Sequence, residues 1–390
     1  MKTSMAEKLR IGITCYPTFG GSGVVATELG IQLAELGHEV HFISSRLPAR
    51  LRSHTLADVS FHEVNTYNYA LFQHAPYTLA LAAKMADVAE HFQLDLLHVH
   101  YAIPHAISAH LACEMLGGRV KIVTTLHGTD ITLVGNDPSL HRITRFAINQ
   151  ADAVTTVSQW LADQTAAQFQ PEVPVSVVPN FVDPEEFHPQ LGEDWAGKHY
   201  ACPGHPHIIH VSNFRPVKRA PDAVLVLAEV LKHHDAHLLM VGDGPDLPQA
   251  MQLARELGLN GRVTFMGNRE DVAYLLSVCD VALLPSASES FGLSALEAMA
   301  CGCAVVTSEI GGLPELVRDG QDGYLCPVGG IDRMAGHVVE LITNEDKLAG
   351  MKASARQRAE SEFSPAAMVP RYLEIYRSVM APAQEGAHGG

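Results

Sequence analysis

The sequence of 390 residues predicts an α/β protein built from two doubly wound, mostly parallel domains. Short apolar runs alternate with helix-period runs almost throughout, the pattern pauses over residues 179–206, and then it begins again. Continuous apolar runs of strand length fit strands covered on both faces. The amphipathic stretches between them are the crossover helices that parallel pairing demands. Strands are predicted at 9–15, 39–44, 96–100, 120–126, 153–157 and 175–178, with helices at 24–36, 78–91 and 140–149 among them. After a segment rich in Pro, Gly, His and acidic residues come strands at 207–212, 236–241, 262–265, 281–285 and 304–307, each followed by a helical stretch. The predicted domains are 1–185 and 200–364. A last helix, 365–380, follows the break at Ser364-Pro365 and is expected to pack back on the first domain, and the Gly/Ala-rich tail 381–390 is expected to be disordered. The length itself exceeds one comfortable core.

The composition, 47% hydrophobic and 18% charged, is that of a globular protein, and the formal net charge of −16 argues against nucleic acid as a partner. No apolar run reaches the length of a bilayer span, so no stable membrane association is expected. The first ten residues lack the apolar core of a signal peptide. Seven cysteines in no framework spacing fit reduced thiols, and a cytoplasmic location is expected. Cys301-Gly-Cys303 has one intervening residue and no second close pair, which reads as a buried inert pair rather than a metal site. No metal is expected.

The most informative segment is Glu289-Ser-Phe-Gly-Leu-Ser-Ala-Leu-Glu297, which follows the strand at 281–285 and opens a helix-period run. Glu289 then lies in a loop and Glu297 inside the helix. A helix start offers unpaired N–H groups and partial positive charge, which suit a phosphate. Two flanking carboxylates suit hydroxyls instead, so the ligand implied carries both, as a nucleotide-sugar does. Gly20-Gly-Ser-Gly23, after the first strand, lets backbone approach a ligand closely, with Ser22 adding a hydroxyl; the dinucleotide fingerprint is absent. A tight strand-to-helix turn is the alternative there.

Ser212-Asn-Phe-Arg-Pro-Val-Lys-Arg219 ends one strand, starts a helix and gathers Arg215, Lys218 and Arg219 in an acidic chain. Cations at a helix start oppose its dipole, so a functional reason is favoured over a solvated helix start for Arg215 and Lys218, while both readings stay open for Arg219. They would stabilise the charge that develops on a departing diphosphate. His127-Gly-Thr-Asp130 follows the strand at 120–126, where His127 can bond a sugar hydroxyl or neighbour the reacting centre. His98 and His100 alternate within a strand, so one is expected to face the core, and both read as structural. Tyr101 and Arg145 are candidates for the same strand-end cleft, Arg145 for an anionic acceptor, with a surface Arg145 as the alternative.

Together these segments, with Gly242-Asp-Gly-Pro245 and Gly311-Gly-Leu-Pro-Glu315, resemble the retaining glycosyltransferases of family 4. The resemblance implies a GT-B fold, two Rossmann-like domains facing each other across a cleft, with an acceptor domain first and a UDP-sugar domain second. It implies donor contacts from Gly21, Ser22, Asn213, Arg215, Lys218, Glu289, Phe291, Gly292, Leu293 and Glu297. Of these Glu289 lies by the sugar and Glu297 by the ribose. Where the family has an arginine two residues past the strand's glycine this chain has Asn213, with Arg215 displaced along the loop.

His127, Arg215, Lys218 and Glu289 are the implied catalytic set. Segments 11–23, 97–105, 124–132 and 212–219 are most similar to family members that transfer N-acetylglucosamine from UDP to L-malate in bacillithiol biosynthesis. That implies Ser22, Tyr101, Thr125 and Arg145 around the malate, and a homodimer is expected. The alternatives are another acceptor (polysaccharide, lipid-linked sugar or inositol phosphate), a UDP-N-acetylglucosamine 2-epimerase on the same scaffold, or a non-catalytic sugar-nucleotide binder.

Overall fold

The computed structural model describes residues 8–18, 20–53, 57–67, 73–192 and 205–381; most of the expected disordered tail lies outside them. The chain divides into two compact units. One is Met1–Val178 together with Met368–Gly390, and the other is Pro179–Ala367.

The first unit carries strands β1 (Arg10–Thr14), β2 (Glu39–Ser44), β3 (Val59–Glu63), β4 (Leu96–His100), β5 (Lys121–Leu126), β6 (Ala153–Thr156) and β7 (Val175–Val177). They pair in the order β3-β2-β1-β4-β5-β6-β7, and every pairing is parallel. The order reverses between β1 and β4, so loops leaving those two carboxyl ends part and open a crevice. Ile11, Ile13, Leu96, Leu97, Val99 and Val123 are fully buried, because crossover helices cover both faces of the sheet. The last helix, Pro365–Met380, returns to this unit, where the Tyr376 hydroxyl meets Nδ1 of His98 at 2.7 Å.

The second unit carries β8 (His207–Val211), β9 (His237–Val241), β10 (Val263–Gly267), β11 (Val281–Leu284), β12 (Ala304–Ser308) and β13 (Gly323–Cys326). Their order is β10-β9-β8-β11-β12-β13, again all parallel, with the reversal between β8 and β11. The core joins these strands to the helix Ala220–Val230 through Val224, Leu227, Leu238, Leu283 and Val306. Among the described residues no helix is long and apolar enough to cross a membrane. Both units are Rossmann-like, as the strand and helix alternation predicts.

Two strands escape the sequence reading. β3, Val-Ser-Phe-His-Glu, is an edge strand whose residues are only partly buried, so it never forms an apolar run. β13 is the opposite case in the second sheet, four buried residues between turn-forming Gly320 and Pro327 that read as part of a loop. The expectation that only one of His98 and His100 faces the core is corrected. Residues two apart on a strand share a face, and both rings are fully buried and stacked, with centroids 4.6 Å apart.

Burial holds these imidazoles neutral. It pushes His98 down to about 3 and His105 to about 4, lowers His100 well below its ordinary 6.5, and takes His127 to about 3. The unfolded chain binds protons at these rings near pH 6.5 while the native unit does not. Their stabilising contribution is therefore complete above that pH and is lost as pH falls towards the folded values. Buried Asp130, raised to about 6, titrates in the opposite sense and offsets only one of the four histidines. Each uncompensated proton gives a slope of about 1.4 kcal/mol per pH unit. Urea midpoints taken at pH 7, 6 and 5 should fall stepwise for this reason, and an unchanged midpoint would show the rings already charged in the native protein.

Candidate functional site

Each sheet places its chemistry at its own reversal point. In the second unit the loop leaving β8 holds residues 212–219 and the loop leaving β11 holds residues 285–292. Buried His210 organises the first of these. Its Nδ1 donates to the Leu283 carbonyl at 2.9 Å, so its Nε2 accepts from the Ser212 hydroxyl at 2.8 Å. Ser212 Oγ in turn accepts from the Phe214 N–H at 3.2 Å. Phe214 is fully buried at φ 41°, which turns the chain so that Asn213 and Arg215 face outward. The glycines of Gly242-Asp-Gly-Pro245 supply the room, since a Cβ on Gly242 would sit 1.8 Å from the Ser212 carbonyl oxygen.

Lys218 ends a short 3-10 turn, Pro216–Lys218, and the helix Ala220–Val230 begins only after Arg219, at φ 51°. The cations of this segment therefore precede the helix rather than occupying its first turn, which corrects the sequence reading. Arg219 is paired 2.6 Å from Asp222 in that first turn, an arrangement that relieves the clash with the dipole. Lys218 instead reaches across to the β11 loop, where its Nζ lies 2.5 Å from Oε1 of Glu289. The Ser286 hydroxyl donates to the same oxygen at 3.0 Å. Arg215 is exposed, and among the described residues it has no polar partner.

Glu289 is in the loop and Glu297 within the helix Leu293–Ala300, as their spacing predicts. Phe291 is buried, Gly292 forms the helix N-cap at φ 100°, and Leu293 is the first helical residue. The turn is pinned from behind by Gly311-Gly312. The Gly312 N–H donates to the Glu289 carbonyl at 3.0 Å, and a Cβ on Gly311 would lie 1.8 Å from that oxygen. The second unit thus brings Lys218, Glu289 and the helix start at 291–293 together. The arrangement joins a cation, a hydroxyl-accepting carboxylate and free amides, the set a sugar diphosphate needs.

The first unit gathers a different chemistry. The helix Gly21–Glu35 starts in the glycine turn with Gly20 as its cap, leaving Gly21 exposed and Ser22 part-exposed at its tip. Tyr101, at the end of β4, adopts φ 89° while its N–H donates to the Thr125 carbonyl at 2.9 Å. A tyrosine at positive φ is strained, and such strain persists where the surroundings fix it. Its ring packs 5.3 Å from Tyr16 and 5.5 Å from His127. The turn after β5 is organised by buried Asp130, whose carboxylate accepts from the N–H groups of His127 at 3.2 Å, Gly128 at 2.9 Å and Ala102 at 3.2 Å. Asp130 therefore joins the ends of β4 and β5, a role signalled only by its place in His-Gly-Thr-Asp.

The remaining acceptor candidates differ in placement. The Thr125 hydroxyl is fully buried between His98 Nε2 at 2.7 Å and Thr155 Oγ1 at 2.6 Å. It supports the strand from within. Arg145 stands on the exposed side of the helix His141–Asn149, 4.0 Å from Glu172, in a groove shared with Arg142 and Phe146. Among the described residues no three His, Cys, Asp or Glu side chains are grouped as metal ligands. Cys301 and Cys303 are buried, and the Cys303 thiol meets the Leu276 carbonyl.

Comparison with known proteins follows the same division. Residues 19–186 match Glycosyltransferase Family 4, and residues 194–358 match Glycosyl transferases group 1. The N-acetyl-alpha-D-glucosaminyl L-malate synthase of Bacillus anthracis is 46% identical over 379 residues, covering 97% of this chain and 99% of that protein. Among solved structures, a glycosyltransferase from Rickettsia africae ESF-5 superposes with a TM-score of 0.80 at 22% identity, covering 96% of this chain and 100% of that one. Anabaena Alr3699/HepE in complex with UDP and glucose gives 0.79 at 22% identity, with 95% and 100% covered. These structures share the fold of the chain, GT-B. With both units matched and a relative of this identity along nearly its whole length, the chain belongs to the family 4 glycosyltransferases.

Proposed function

We propose that this glycosyltransferase moves N-acetylglucosamine from UDP to the hydroxyl of L-malate with retention of the α anomer, the first step of bacillithiol biosynthesis. The observation that carries the acceptor is the 46% identity, along 97% of the chain, to a protein named for that product. The donor end is supported by the grouping of Lys218, Glu289 and the helix start at 291–293. Lys218 and Arg215 face the diphosphate, the amides at 291–293 take its oxygens and the sugar hydroxyls, Glu297 holds the ribose and Glu289 the sugar.

In the reaction the bond from the sugar C1 to the diphosphate oxygen breaks and a bond from C1 to the malate hydroxyl oxygen forms. The hydroxyl proton passes to the departing phosphate when attack comes from the same face. Negative charge grows on the diphosphate as it leaves, so a fixed cation there stabilises the transition state more than the bound donor. Arg145 supplies a guanidinium for a malate carboxylate, and Tyr101 and Ser22 supply hydroxyls. Thr125 enters only through its hold on the β4–β5 pair.

Purified protein given UDP-N-acetylglucosamine, L-malate and EDTA should release UDP and form N-acetylglucosaminyl malate, read by mass spectrometry. UDP release that ignores malate would place the chain with the epimerase reading or with another acceptor, and rescue only by Mg²⁺ or Mn²⁺ would overturn the metal-free chemistry.

Kinetics should separate the donor residues. Lys218→Ala is expected to lower kcat by about a hundredfold or more, as loss of a charge-stabilising donor does. Glu297→Ala should mainly raise the donor KM, since ribose bonds are made in both ground and transition states. Equal defects in the two would remove the division of roles.

Arg145→Ala should raise the malate KM more than about tenfold, the scale of losing one partner of a desolvated charge pair, while UDP binding by calorimetry stays put. An unchanged malate KM would remove Arg145 from the acceptor site and pass the role to Arg142 or the amides of residues 20–23.

A further inference from the structure

His127 is reached from behind by a second imidazole. His100 Nδ1 lies 2.8 Å from His127 Nε2, and the two rings are inclined by only 26° with centroids 5.1 Å apart, so they meet edge to edge. Two neutral imidazoles at that distance share one hydrogen, so one ring donates and the other accepts. The surroundings of His100 decide which. It is fully buried in β4, and its other nitrogen, Nε2, is sealed from solvent with no hydrogen-bond partner. A hydrogen on Nε2 would be an orphaned buried donor, whereas a bare lone pair there is the lesser penalty. The hydrogen of His100 therefore belongs on Nδ1, pointing at His127.

The same rule holds next door. His105 Nδ1 faces the His100 carbonyl oxygen, which only accepts, so His105 carries its hydrogen on Nδ1 and likewise leaves a buried Nε2 lone pair. His98, stacked on His100, is occupied on both nitrogens by Tyr376 and Thr125 and offers nothing to this pair. The carboxylate of Asp130 is taken up with backbone N–H groups.

With Nε2 accepting from His100, a neutral His127 holds its own hydrogen on Nδ1. That nitrogen has no partner among the described residues and is not sealed off, and the residue is part-exposed at the crevice of the first sheet. We infer that His100 is a positioning residue which fixes His127 as the Nδ1–H tautomer, so that His127 meets its ligand as a hydrogen-bond donor to an oxygen and not as a proton-accepting base. The ligand oxygen is a hydroxyl or ring-substituent oxygen of the donor sugar, and this part rests on the proposed glycosyl transfer. Burial keeps both rings neutral through the ordinary pH range, which removes the imidazolium as a competing donor.

The test has two independent readouts. In protein labelled with ¹⁵N-histidine, His127 is assigned by its loss in His127→Gln. Its Nε2 should show the shift of an unprotonated nitrogen and its Nδ1 that of a protonated one. In His100→Asp, which offers only an acceptor, the hydrogen should move to Nε2. In His100→Asn the side-chain N–H stands where Nδ1–H stood, and the native tautomer should persist.

Turnover should follow the tautomer. His100→Asn is expected to keep kcat within a few-fold of wild type. His100→Leu and His100→Asp should lose about a hundredfold, the scale of a removed or misdirected donor. A wild-type His127 protonated on Nε2 overturns the inference, and so does full activity in His100→Asp with its tautomer reversed. Should the wild type fail to transfer sugar to malate, the proposed reaction falls, while the nitrogen shifts still decide the tautomer. Poor folding of the leucine variant would leave the asparagine and aspartate pair to give the answer.

Discussion

The ion pair between Lys218 and Glu289 is the contact on which the second unit's site depends. It ties the loop leaving β8 to the loop leaving β11 at the one place where the sheet's connections diverge. Its side chains are largely withdrawn from water, at 22% and 9% exposure, so desolvation cancels much of the attraction and the pair is a poor source of stability. Its value is positional. A cation beside a carboxylate, with Ser286 on the same oxygen, forms a fixed polar pair ready for a ligand that brings both negative charge and hydroxyls. Everything nearby keeps that geometry. His210 and Ser212 hold the first loop, Gly311 and Gly312 allow the second to press against its neighbour, and a left-handed Arg219 starts the helix behind.

Among the described residues, the first unit holds its reversal point without a side-chain ion pair like that of Lys218 and Glu289. Its reversal point is lined by tyrosines and neutral imidazoles, and the buried carboxylate of Asp130 there is consumed by backbone N–H groups. Donor and acceptor directions among the imidazoles there are set by hydrogen-bond geometry, because burial keeps those rings neutral. Charged side chains set the geometry at the second unit's reversal point, and oriented neutral groups set it at the first's.

Much of this was legible in the residues. Apolar strand runs such as those of β4 and β11, and the Glu289-to-Glu297 spacing across a strand–loop–helix junction, require only local periodicity to be read. The edge strands β3 and β13 were not legible, because half-covered or very short strands lack that signature. Nor was the pairing of Lys218 with Glu289, which are 71 residues apart and meet only through the sheet order. His98 and His100 were read as structural. Their roles separate only when cross-strand neighbours are known, His98 facing Thr125 and Tyr376 and His100 facing His127. Arg145 and Thr125 show the same limit, since sequence names a residue type on a helix or a strand and not the direction of its side chain.

In the proposed reaction Lys218 and Glu289 act on the nucleotide-sugar as one unit. A double-mutant cycle tests it directly, with UDP-N-acetylglucosamine binding measured by calorimetry in EDTA for the wild type, Lys218→Met, Glu289→Gln and the double variant. Residues sharing one network typically couple by about 0.5–3 kcal/mol, and a coupling above about 1 kcal/mol is predicted here. Single effects that simply add, to within about 0.5 kcal/mol, would show that the two residues act independently.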